Sequence, residues 1–497
     1  MTTASSPTAN RKGRPGLNRV LSIVGGIPLR AGVLVVFVLA VPQIYPLPAG
    51  TIDIALSTMV AFLLVPAVVV RTWGNPGVRR LLRSALVYSL LGLLAIRILA
   101  MLWSPDTGYG RLPVVLTAQF LVTLVLLYGA ASEEPDLLRQ IQYAYWPVVM
   151  LEALLVAVFR VFPGVEDAYL HSIAGLFAGQ NTVDGLFDVN RNNVLDPTKS
   201  GGVFINANVA GLFLGVSAMT AFAVWSRTRQ RFVLVAGLVA LGGVWFTGSK
   251  SGRMFSVALP LAVLAAYFWR RLKPVLRRYL LIGAGAVTVA AVVLLGVAGG
   301  GFGAAVRVAF GQRTEIWGYG AEAFADSPVL GLGWGGWQKG FAEYAAANGI
   351  YNPNFPPHNI LLAAWAATGL AGLAITILVF VLLLRLAVKA YGPDPLIAAW
   401  AGAAFVWVIV QAMGENTDVF GEIHLIPAVA LLVCCLIHPL RREPERVEDA
   451  DIWNRETSII PAIRDVHPEP GPGHAHFPST LHSAGRDRQG PGQHRHR

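Results

Sequence analysis

The sequence predicts an all-α, polytopic membrane protein with about 12 transmembrane helices. Of its 497 residues, 55% are hydrophobic and only 13% are charged, whereas about a quarter of the residues in a soluble domain carry a charge. Apolar runs recur at the length of about 20 residues that crosses the hydrocarbon core of a bilayer. The positive charge behind the net charge of +11 lies largely in short loops between these runs, which is the pattern of membrane topology.

Twelve apolar segments are predicted to span the membrane. In chain order they cover residues 31–49, 51–70, 84–103, 113–131, 143–161, 203–225, 232–248, 254–269, 279–299, 359–384, 395–413 and 424–439. A polar, basic stretch precedes the first of them. That first run is longer than the apolar core of a cleavable signal peptide, so it is expected to remain in the membrane.

The distribution of positive charge predicts which side of the membrane each loop occupies. If the N-terminus is inside, only eight of the 39 Lys and Arg residues fall in outer loops. Because cytoplasmic loops carry an excess of Lys and Arg, this predicts a multi-pass protein of the cytoplasmic (inner) membrane with both termini in the cytoplasm. The chain shows no basic face with interleaved aromatic residues, so we expect membrane lipids and no nucleic acid as partners.

Three regions follow from this topology. Residues 1–30 form a basic cytoplasmic segment, residues 31–440 form the transmembrane domain, and residues 441–497 form a cytoplasmic tail of disordered composition. Two outer loops are long, at about residues 162–202 and 300–358, and the second lies between helices 9 and 10. Loops of this length usually carry function or lack structure, so we expect the chemistry on the outer face.

Cysteine and histidine usage does not predict a metal site. The two cysteines, Cys434 and Cys435, are adjacent inside an apolar run, and six of the ten histidines lie in the tail. Residues 188–196 resemble the start of a calcium loop, but Asn193 stands where such a loop needs glycine and Lys199 replaces its final glutamate. We therefore expect neither a metal ion nor a cofactor.

The second long outer loop brings a cation, a glycine-rich turn and a histidine to the start of one helix. Arg313 and Trp317 precede the turn at residues 327–335, and His358 follows it. An arginine offers two parallel N–H groups to phosphate oxygens, and a histidine that titrates near neutral pH accepts a proton from a hydroxyl. The helix start after Pro357 also favours an anion. Arg313 and His358 are therefore the candidate catalytic residues.

The spacing of these residues resembles that of the O-antigen ligase/polymerase superfamily of bacterial membrane glycosyltransferases. The ligases have a His-(Asn/Ser/Gln)-x9-Gly-x2-(Gly/Thr/Tyr) signature, and the chain fits it at His358, Asn359, Gly369 and Gly372. The wider family has an Arg-x3-(Trp/Leu) motif followed by Pro-x2-Gly-x-Gly. The chain fits that motif at Arg313, Trp317, Pro328, Gly331 and Gly333. The ligases favour leucine at the position of Trp317.

Two further segments resemble core motifs of the same superfamily. Gly202-Val-Phe-Ile-Asn-Ala-Asn208 is similar to a Gly-x-Phe-x-Asn-Pro-Asn helix opening, with alanine where proline is common. Thr247-Gly-Ser-Lys-Ser-Gly252 is similar to a Ser-Arg-(Ser/Gly)-Ala turn, with Lys250 where arginine is usual. Lysine keeps the charge but not the bidentate geometry, and Arg253 follows three residues later. The resemblance covers about residues 200–430.

The resemblance implies a GT-C-like fold and glycosyl transfer on the extracytoplasmic face. Family members move a glycan from a polyprenyl-diphosphate carrier to a hydroxyl of an envelope glycan, lipid or protein acceptor. They do so without a metal and with inversion at the anomeric carbon. His358 would act as the base or orient the acceptor. The implied binding residues for the diphosphate or lipid-linked glycan are Lys250, Arg253, Arg313, Asn208, Asn359 and Trp317, and the implied structural turns lie at Gly331, Gly333, Gly369 and Gly372.

Several of these residues also have structural interpretations that the sequence leaves open. Lys250 and Arg253 lie at the membrane border, where long basic side chains extend towards water. Asn208 can hydrogen-bond between helices instead of to a ligand. Trp317 is either an interfacial aromatic residue or a surface on which a sugar stacks.

Charged residues in and between the spans are a further open point. Arg97 and Glu152 lie within spans, where a charge is costly and usually paired, so they pair with each other, have another structural role or form a proton path. Four residues of the last outer loop either line an acceptor site or face solvent. They are Glu415, Asp418, Glu422 and His424.

Two other classes of function remain open. Twelve helices with both ends inside are also a common plan for secondary transporters of small solutes. Transporters of the major facilitator type, however, tend to have a long cytoplasmic loop between helices 6 and 7, where this chain has only about residues 226–231. A non-catalytic relative that keeps the scaffold is the other possibility. The sequence identifies neither the glycan nor the acceptor, and it does not separate a ligase from a repeat-unit polymerase.

Overall fold

A computed structural model describes most of the chain between residues 29 and 437. The described residues are 29–42, 44, 54–72, 74–134, 136–178, 195–196, 198–269, 272–273, 275–276, 313–350, 355–415 and 418–437. All of them belong to one compact unit, Met1–Arg442. The tail predicted for residues 441–497 lies outside the described residues, as does nearly all of the basic N-terminal segment.

The described residues are mostly helical, and their only β-pairing is an isolated bridge between Asp418 and Gly421. The first half of the chain forms α1 (Leu29–Val38), α2 (Leu56–Thr72), α3 (Pro76–Leu82), α4 (Ala85–Leu99), α5 (Gly108–Glu133), α6 (Leu137–Val161) and α7 (Pro163–Leu170). The second half forms α8 (Ala207–Thr228), α9 (Arg231–Thr247), α10 (Lys250–Trp269), α11 (Arg313–Asp326), α12 (Gly336–Ala347), α13 (Ile360–Tyr391), α14 (Pro395–Ala412) and α15 (Ile426–Ile437).

Helix lengths confirm an all-α membrane protein but not the number of spans. In the described part of the chain, seven helices are long and apolar enough to cross a membrane, and four further apolar helices have 10–17 residues. Together they coincide with eleven of the predicted spans. The remaining prediction, residues 279–299, falls outside the described residues, so the count of twelve stays a prediction.

At two of the predicted spans, local residues explain why the helix is shorter than the apolar run. The first was expected over residues 31–49, but α1 ends at Val38. Pro42 follows shortly afterwards, and a proline disfavours helical conformations at the residue before it. The sixth was expected from residue 203, but α8 begins only at Ala207, because Ile205 has a φ of 58° and Asn206 caps the helix. The Asn206 side chain accepts from the first turn, as an N-cap residue does.

Helix α8 lies at the centre of the bundle and packs on α9 and α14. Nearly all of its residues are buried, which fits a helix that is apolar on every side. Small residues allow its neighbours to come close. A Cβ at Gly215 would collide with the ring of Trp407, and the Tyr145 hydroxyl lies 3.0 Å from Ser217 Oγ. Because α8 is packed on all sides, its first turn, with Ala207 and Asn208, has a defined position in the bundle.

The second long outer loop is folded in its described part. Helices α11 and α12 enclose a small aromatic core that is separate from the main core of the bundle. Tyr319 packs edge-on against Trp337 at 4.9 Å and against Phe341 at 5.6 Å between ring centroids, a favoured arrangement for aromatic pairs. Trp365 of α13 belongs to the same cluster, so this small core is attached to the helix that follows the candidate histidine.

Arg97 forms a buried ion pair with Asp418, not with Glu152. Its Nη1 and Nη2 atoms lie 2.7 and 2.6 Å from the two carboxylate oxygens, and the side chains are only 6% and 9% exposed. Nη1 also donates to the Thr117 hydroxyl at 2.6 Å and to the Pro113 carbonyl at 2.8 Å. This bidentate geometry is the strong form of a charged hydrogen bond, and it ties α4 and α5 to the last outer loop.

Glu152 has a different partner from the one that the sequence suggested. Its Oε2 accepts from the backbone N–H of Val203 at 3.0 Å. Its carboxylate lies directly against Gly202, where a Cβ would collide with it. Glu152 therefore holds the turn that leads into α8.

We predict that the Arg97–Asp418 pair is costly to break from one side only. Arg97→Met or Asp418→Leu alone should lower the free energy of unfolding by about 3–5 kcal/mol, because each leaves a buried charge unpaired. The double substitution should recover most of that loss, because apolar replacement of a buried pair is often neutral. Thermal unfolding of the purified protein measures both effects.

The Arg71–Glu133 pair provides a matched control. Its atoms are 3.8 Å apart and its side chains are 24% and 29% exposed. Arg71→Met or Glu133→Leu should therefore change the free energy of unfolding by less than about 1 kcal/mol. Equal losses at the two pairs would contradict the role assigned to Arg97.

Candidate functional site

The glycine-rich turn after α11 crosses α13 at a break in that helix. Gly369 has a φ of 70° and a ψ of −167° inside α13, a conformation that glycine adopts far more readily than other residues. At the break, Leu332 N donates to Ala366 O at 2.7 Å, and Leu370 N donates to Val329 O at 3.0 Å. Ala366 O and Leu370 N are the pair that an unbroken helix would join. The turn thus satisfies the two groups that the break exposes.

Glycine is required on both sides of this crossing. A Cβ at Gly331, whose φ is 67°, would collide with the carbonyl oxygen of Trp365. A Cβ at Gly369 would collide with the carbonyl oxygen of Val329. The Trp365 indole also donates to Pro328 O at 3.0 Å. The Pro-x2-Gly-x-Gly motif and the first glycine of the histidine signature are therefore two sides of one contact.

The other two glycines assigned to structural turns have separate neighbours. Gly333, with a φ of 75°, lies against the backbone of Trp103 and Ser104. Gly372 lies against the side chain of Thr368, with which a Cβ would collide. The sequence predicted that the turn would sit at the mouth of the helix, but the contact with Gly369 places it well inside α13. The reason is that the turn pairs with the helix break and not with the helix start.

Arg313 is the first residue of α11 and forms an ion pair with Glu415 of the last outer loop. The distance from Arg313 Nη2 to Glu415 Oε1 is 3.1 Å, and the side chains are 33% and 22% exposed. Burial raises the pKa of Glu415, and this rise is opposed by the charges of Arg313 and Lys199 and by hydrogen bonds from Arg313 and Asn208. A guanidinium has five N–H donors, so one bond to Glu415 does not exhaust its capacity for an anion.

His358 lies directly before α13 in a conformation that is uncommon for residues other than glycine. Its φ is 48°, and such backbone outliers cluster at functional sites. The indole of Trp317 donates to the carbonyl of the preceding Pro357 at 3.2 Å. Burial, and to a lesser extent the charge of nearby Arg313, lower the pKa of His358 to about 4. His358 is therefore a neutral imidazole at pH 7, held beside the cation that the sequence paired with it.

Asn359 caps α13. Its Oδ1 accepts from Leu361 N at 2.9 Å and from Leu362 N at 3.2 Å, as N-cap side chains do. The sequence assigned Asn359 to the substrate and an anion to this helix start. Because the cap already occupies two N–H groups of the first turn, the helix start has less capacity for an anion than the sequence suggested.

Asn208 connects three segments that are distant in sequence. Its Oδ1 accepts from Ser249 Oγ at 2.9 Å, its backbone carbonyl accepts from Gln411 Nε2 at 2.9 Å, and its side chain bonds to Glu415. Ser249 in turn caps the start of α10 by accepting from Gly252 N at 3.2 Å. The two motifs at residues 202–208 and 247–252 therefore meet at one point, next to the ion pair of Glu415.

Lys250 and Arg253 differ in their surroundings. Arg253 donates from Nε and Nη2 to the carbonyl of Trp245 at 3.1 and 2.9 Å. This caps the end of α9, whose last carbonyls lack helical partners. Lys250 is exposed and follows Ser249 directly. The structure thus places Lys250 next to the Asn208 network, whereas it uses the donors of Arg253 to close the preceding helix.

The tryptophans of the outer segment act as hydrogen-bond donors to backbone carbonyls. Trp334 Nε1 donates to Arg97 O at 2.9 Å, and Trp337 Nε1 donates to Phe355 O at 2.9 Å. Trp317 makes the equivalent bond to Pro357 O. The bonds of Trp317 and Trp337 fix the segment that leads to His358, and the bond of Trp334 fixes the glycine-rich turn to α4.

The sequence did not predict two of the residues that lie beside Arg313. It left open whether Glu415 lines an acceptor site or faces solvent, and it singled out Lys199 only as a departure from a calcium loop. The structure places Glu415 against Arg313 and Lys199 close enough for its charge to affect Glu415. The sequence signal for this contact is Gln411, because a polar residue inside an apolar span usually has a partner, and Gln411 bonds to Asn208. The calcium-loop residues 188–193 lie outside the described residues.

A cavity of about 280 Å³ opens beside these residues. Pro357, Asn359 and Glu415 line it, together with Arg97 and Asp418. In the part of the chain that the structure describes, no three His, Cys, Asp or Glu side chains are grouped as metal ligands. The site thus combines an arginine, a neutral histidine and a cavity that is lined by the ion-pair partner of Arg313 and by the two chain neighbours of His358.

Comparison with known proteins identifies a family for the central part of the chain. The O-antigen ligase family model matches residues 235–377, and this confirms the resemblance to the O-antigen ligase superfamily. The matched segment contains Arg313, the glycine-rich turn and His358. It does not contain Asn208 or Glu415. No curated protein matches the chain.

The crossing of the turn with α13 leads to a prediction with an internal control. Gly331→Ala and Gly349→Ala both place alanine at a positive φ, of 67° and 66°, but only Gly331 has neighbours that a Cβ would meet. Gly349→Ala should cost about 1–2 kcal/mol for the left-handed backbone alone. Gly331→Ala should cost clearly more, because the carbonyl of Trp365 must move. Thermal unfolding compares the two, and equal losses would mean that the crossing does not depend on this close contact.

Proposed function

Starting from the O-antigen ligase domain at residues 235–377, we propose that the protein is a membrane glycosyltransferase. It transfers a glycan from a polyprenyl-diphosphate carrier to an acceptor hydroxyl on the extracytoplasmic face, as a ligase or as a repeat-unit polymerase. The reaction needs no metal and inverts the anomeric carbon. The observation that carries this proposal is that a cation and a neutral histidine adjoin one cavity. Arg313 lowers the pKa of His358, and Pro357 and Asn359 on either side of His358 line the cavity.

Arg313 is suited to hold the diphosphate. Guanidinium groups bind phosphate oxygens through two parallel N–H bonds, and the contact with Glu415 uses only Nη2. Lys199 lies near the same carboxylate, and Lys250 lies one residue from Ser249. As the bond from the anomeric carbon to the diphosphate breaks, negative charge grows on the leaving oxygen. Fixed cations next to that oxygen stabilise the transition state more than the ground state.

His358 is suited to take the acceptor proton. Its ring nitrogen removes the proton from the acceptor hydroxyl, while the oxygen attacks the anomeric carbon from the side opposite to the diphosphate. The new carbon–oxygen bond forms as the old one breaks, and the lipid diphosphate leaves with the electron pair. The proton on His358 then passes to water. Displacement from the opposite face accounts for inversion.

The charge of the donor adjusts the basicity of His358. In the unliganded protein the pKa of His358 is about 4, because of burial and then because of Arg313. A bound diphosphate supplies negative charge beside Arg313 and offsets its effect on the imidazole. The pKa of His358 should therefore rise when the donor binds, towards the range in which a general base works best at neutral pH.

The test of the function is release of lipid diphosphate from a polyprenyl-diphosphate oligosaccharide in the presence of host envelope extract. His358→Gln should reduce the acceptor-dependent rate by about 100- to 10,000-fold, the usual contribution of a general base. Arg313→Gln should reduce it by about 100- to 1,000-fold, as removal of a charge-stabilising donor does.

Two exposed residues of the outer segments are matched controls. His171→Gln removes an imidazole, whose side chain is 55% exposed, and Lys339→Gln removes an exposed cation. Neither should change the rate by more than about twofold. If the wild type releases nothing while a radiolabelled solute enters proteoliposomes, the transporter alternative replaces this proposal.

The pH dependence gives a second prediction. The fall of kcat/KM at acid pH reports the pKa of His358 in the free enzyme. The midpoint of this acid limb should therefore lie near pH 4 and not near 6.5, the ordinary pKa of histidine. The activity attributable to His358 is full above that limb and is lost as pH falls through it, because the protonated ring cannot accept a proton. The limb of kcat, which reports the donor complex, should lie at higher pH. Two limbs that coincide near pH 6.5 would contradict the electrostatic role of Arg313.

A further inference from the structure

The cavity beside His358 has both polar and apolar lining residues. Its polar side chains come from four separate segments, namely Arg97, Gln338, Asn359, Glu415, Asp418 and Glu422. Leu93, Leu112 and Leu116 are among its apolar lining residues. Sites for small ligands commonly combine an apolar lining with a few polar groups that set orientation, so this lining fits a ligand with both polar and apolar faces.

The charges that line the cavity are compensated within the protein. Arg97 is the one cation among the described lining residues, and its guanidinium is bound by Asp418 at 2.6 and 2.7 Å. Glu415 is bound by Arg313 at 3.1 Å. The lining therefore offers no uncompensated cation to an anion, so an uncharged ligand fits this cavity better than a phosphorylated sugar does.

We propose that this cavity binds an uncharged sugar of the acceptor, whose hydroxyl groups bond to Glu422 while its apolar face packs on Trp334. This inference rests on the proposed glycosyl transfer. Because Pro357 and Asn359 line the same cavity, a sugar bound there lies beside the segment that carries His358. Arg313 is not among the described lining residues, so a diphosphate on its remaining N–H groups and a sugar in the cavity occupy separate subsites.

The state of Glu422 agrees with an uncharged ligand. Burial, and to a lesser extent the charge of Asp418, raise the pKa of Glu422 to about 8. The charged groups on the neighbouring segments are Arg97, Asp418 and Glu415, and two of these form a pair with each other. At pH 7 Glu422 is therefore largely protonated, and its carboxyl group both donates a hydrogen bond to a sugar hydroxyl and accepts one.

The first experiment measures binding without turnover. The native cysteines Cys434 and Cys435 are buried, so a thiol introduced by Gln338→Cys becomes the target of a maleimide. The full chain is placed in phospholipid nanodiscs without glycolipid, and labelling is timed with methyl glycosides of glucose, galactose and mannose. At least one of these neutral sugars should slow labelling by about fivefold or more, as occupancy near saturation requires.

Two controls define this result. Hexose 6-phosphates at the same concentration should not slow the labelling of Gln338→Cys, because the cavity offers no free cation. Lys339→Cys, which places the thiol on the adjacent exposed position of α12, should label at one rate with or without any sugar. Protection by the 6-phosphates alone, or by none of the sugars, would overturn the proposal.

The second experiment tests Glu422 directly. Both substitutions are made in the Gln338→Cys protein. Glu422→Gln keeps a neutral hydrogen-bonding group and should leave protection at pH 7 within about threefold of that parent. Glu422→Leu should weaken protection by about tenfold, the effect of one lost hydrogen bond. Raising the pH above 8 should weaken protection in the Gln338→Cys background but not when Glu422→Gln is added. If sugar protects Gln338→Cys equally well at both pH values, alone and with Glu422→Gln or Glu422→Leu added, the role of Glu422 is overturned.

The two proposals fail in different ways. If neutral sugars protect the cavity but the wild type releases no lipid diphosphate, the cavity is a sugar site and the proposed transferase function is wrong. If the wild type is active and Glu422→Leu leaves the acceptor KM unchanged, the acceptor binds elsewhere and only the cavity proposal is wrong. If Glu422→Leu raises the acceptor KM by about tenfold while the donor KM stays constant, both the transferase function and the acceptor site in the cavity are supported.

Discussion

The buried pair of Arg97 and Asp418 is the interaction on which the arrangement of the candidate site depends. Its guanidinium joins α4 to the start of α5 and to the last outer loop, and the backbone carbonyl of Arg97 receives the indole N–H of Trp334. The partners are 321 residues apart in the chain. Because charged groups are costly in an apolar surrounding, the last outer loop has one favourable position, and this position sets Glu415 opposite Arg313.

Local patterns in the sequence predicted the elements well, but they did not predict these pairings. Hydropathy located apolar helices because the bilayer thickness fixes their length, and motif spacing selected Arg313 and His358. The partner of Arg97 could not be read from the sequence, since two in-span charges, Arg97 and Glu152, suggested each other. Asn359 shows a different limit. An asparagine before a helix is an N-cap signal, and its motif context directed attention to the substrate instead.

Compensation of charge is the common principle of the site. Arg313 has Glu415, Arg97 has Asp418, and Arg253 has the carbonyl of Trp245. Each cation is thus held in place before any ligand arrives, and fixed dipoles and charges need little reorganisation when charge develops. The glycine motifs have a complementary role, because they let backbone segments approach where no side chain would fit. The chemical groups and the turns that carry them are therefore parts of a single arrangement.

The crossing of the glycine-rich turn with α13 also has a consequence for how such proteins diversify. The chain between Gly331 and Gly369 returns to the spot from which it starts. Within it, the indole of Trp337 donates to the carbonyl of Phe355, which closes a shorter loop that leaves out His358 and α13. Loops with anchored ends tolerate insertion at small energetic cost. Gln338, which lines the cavity, belongs to this shorter loop. The shorter loop can therefore be lengthened or exchanged as a cassette, which would alter the ligand that is recognised while His358, the helix bundle and its ion pairs stay intact.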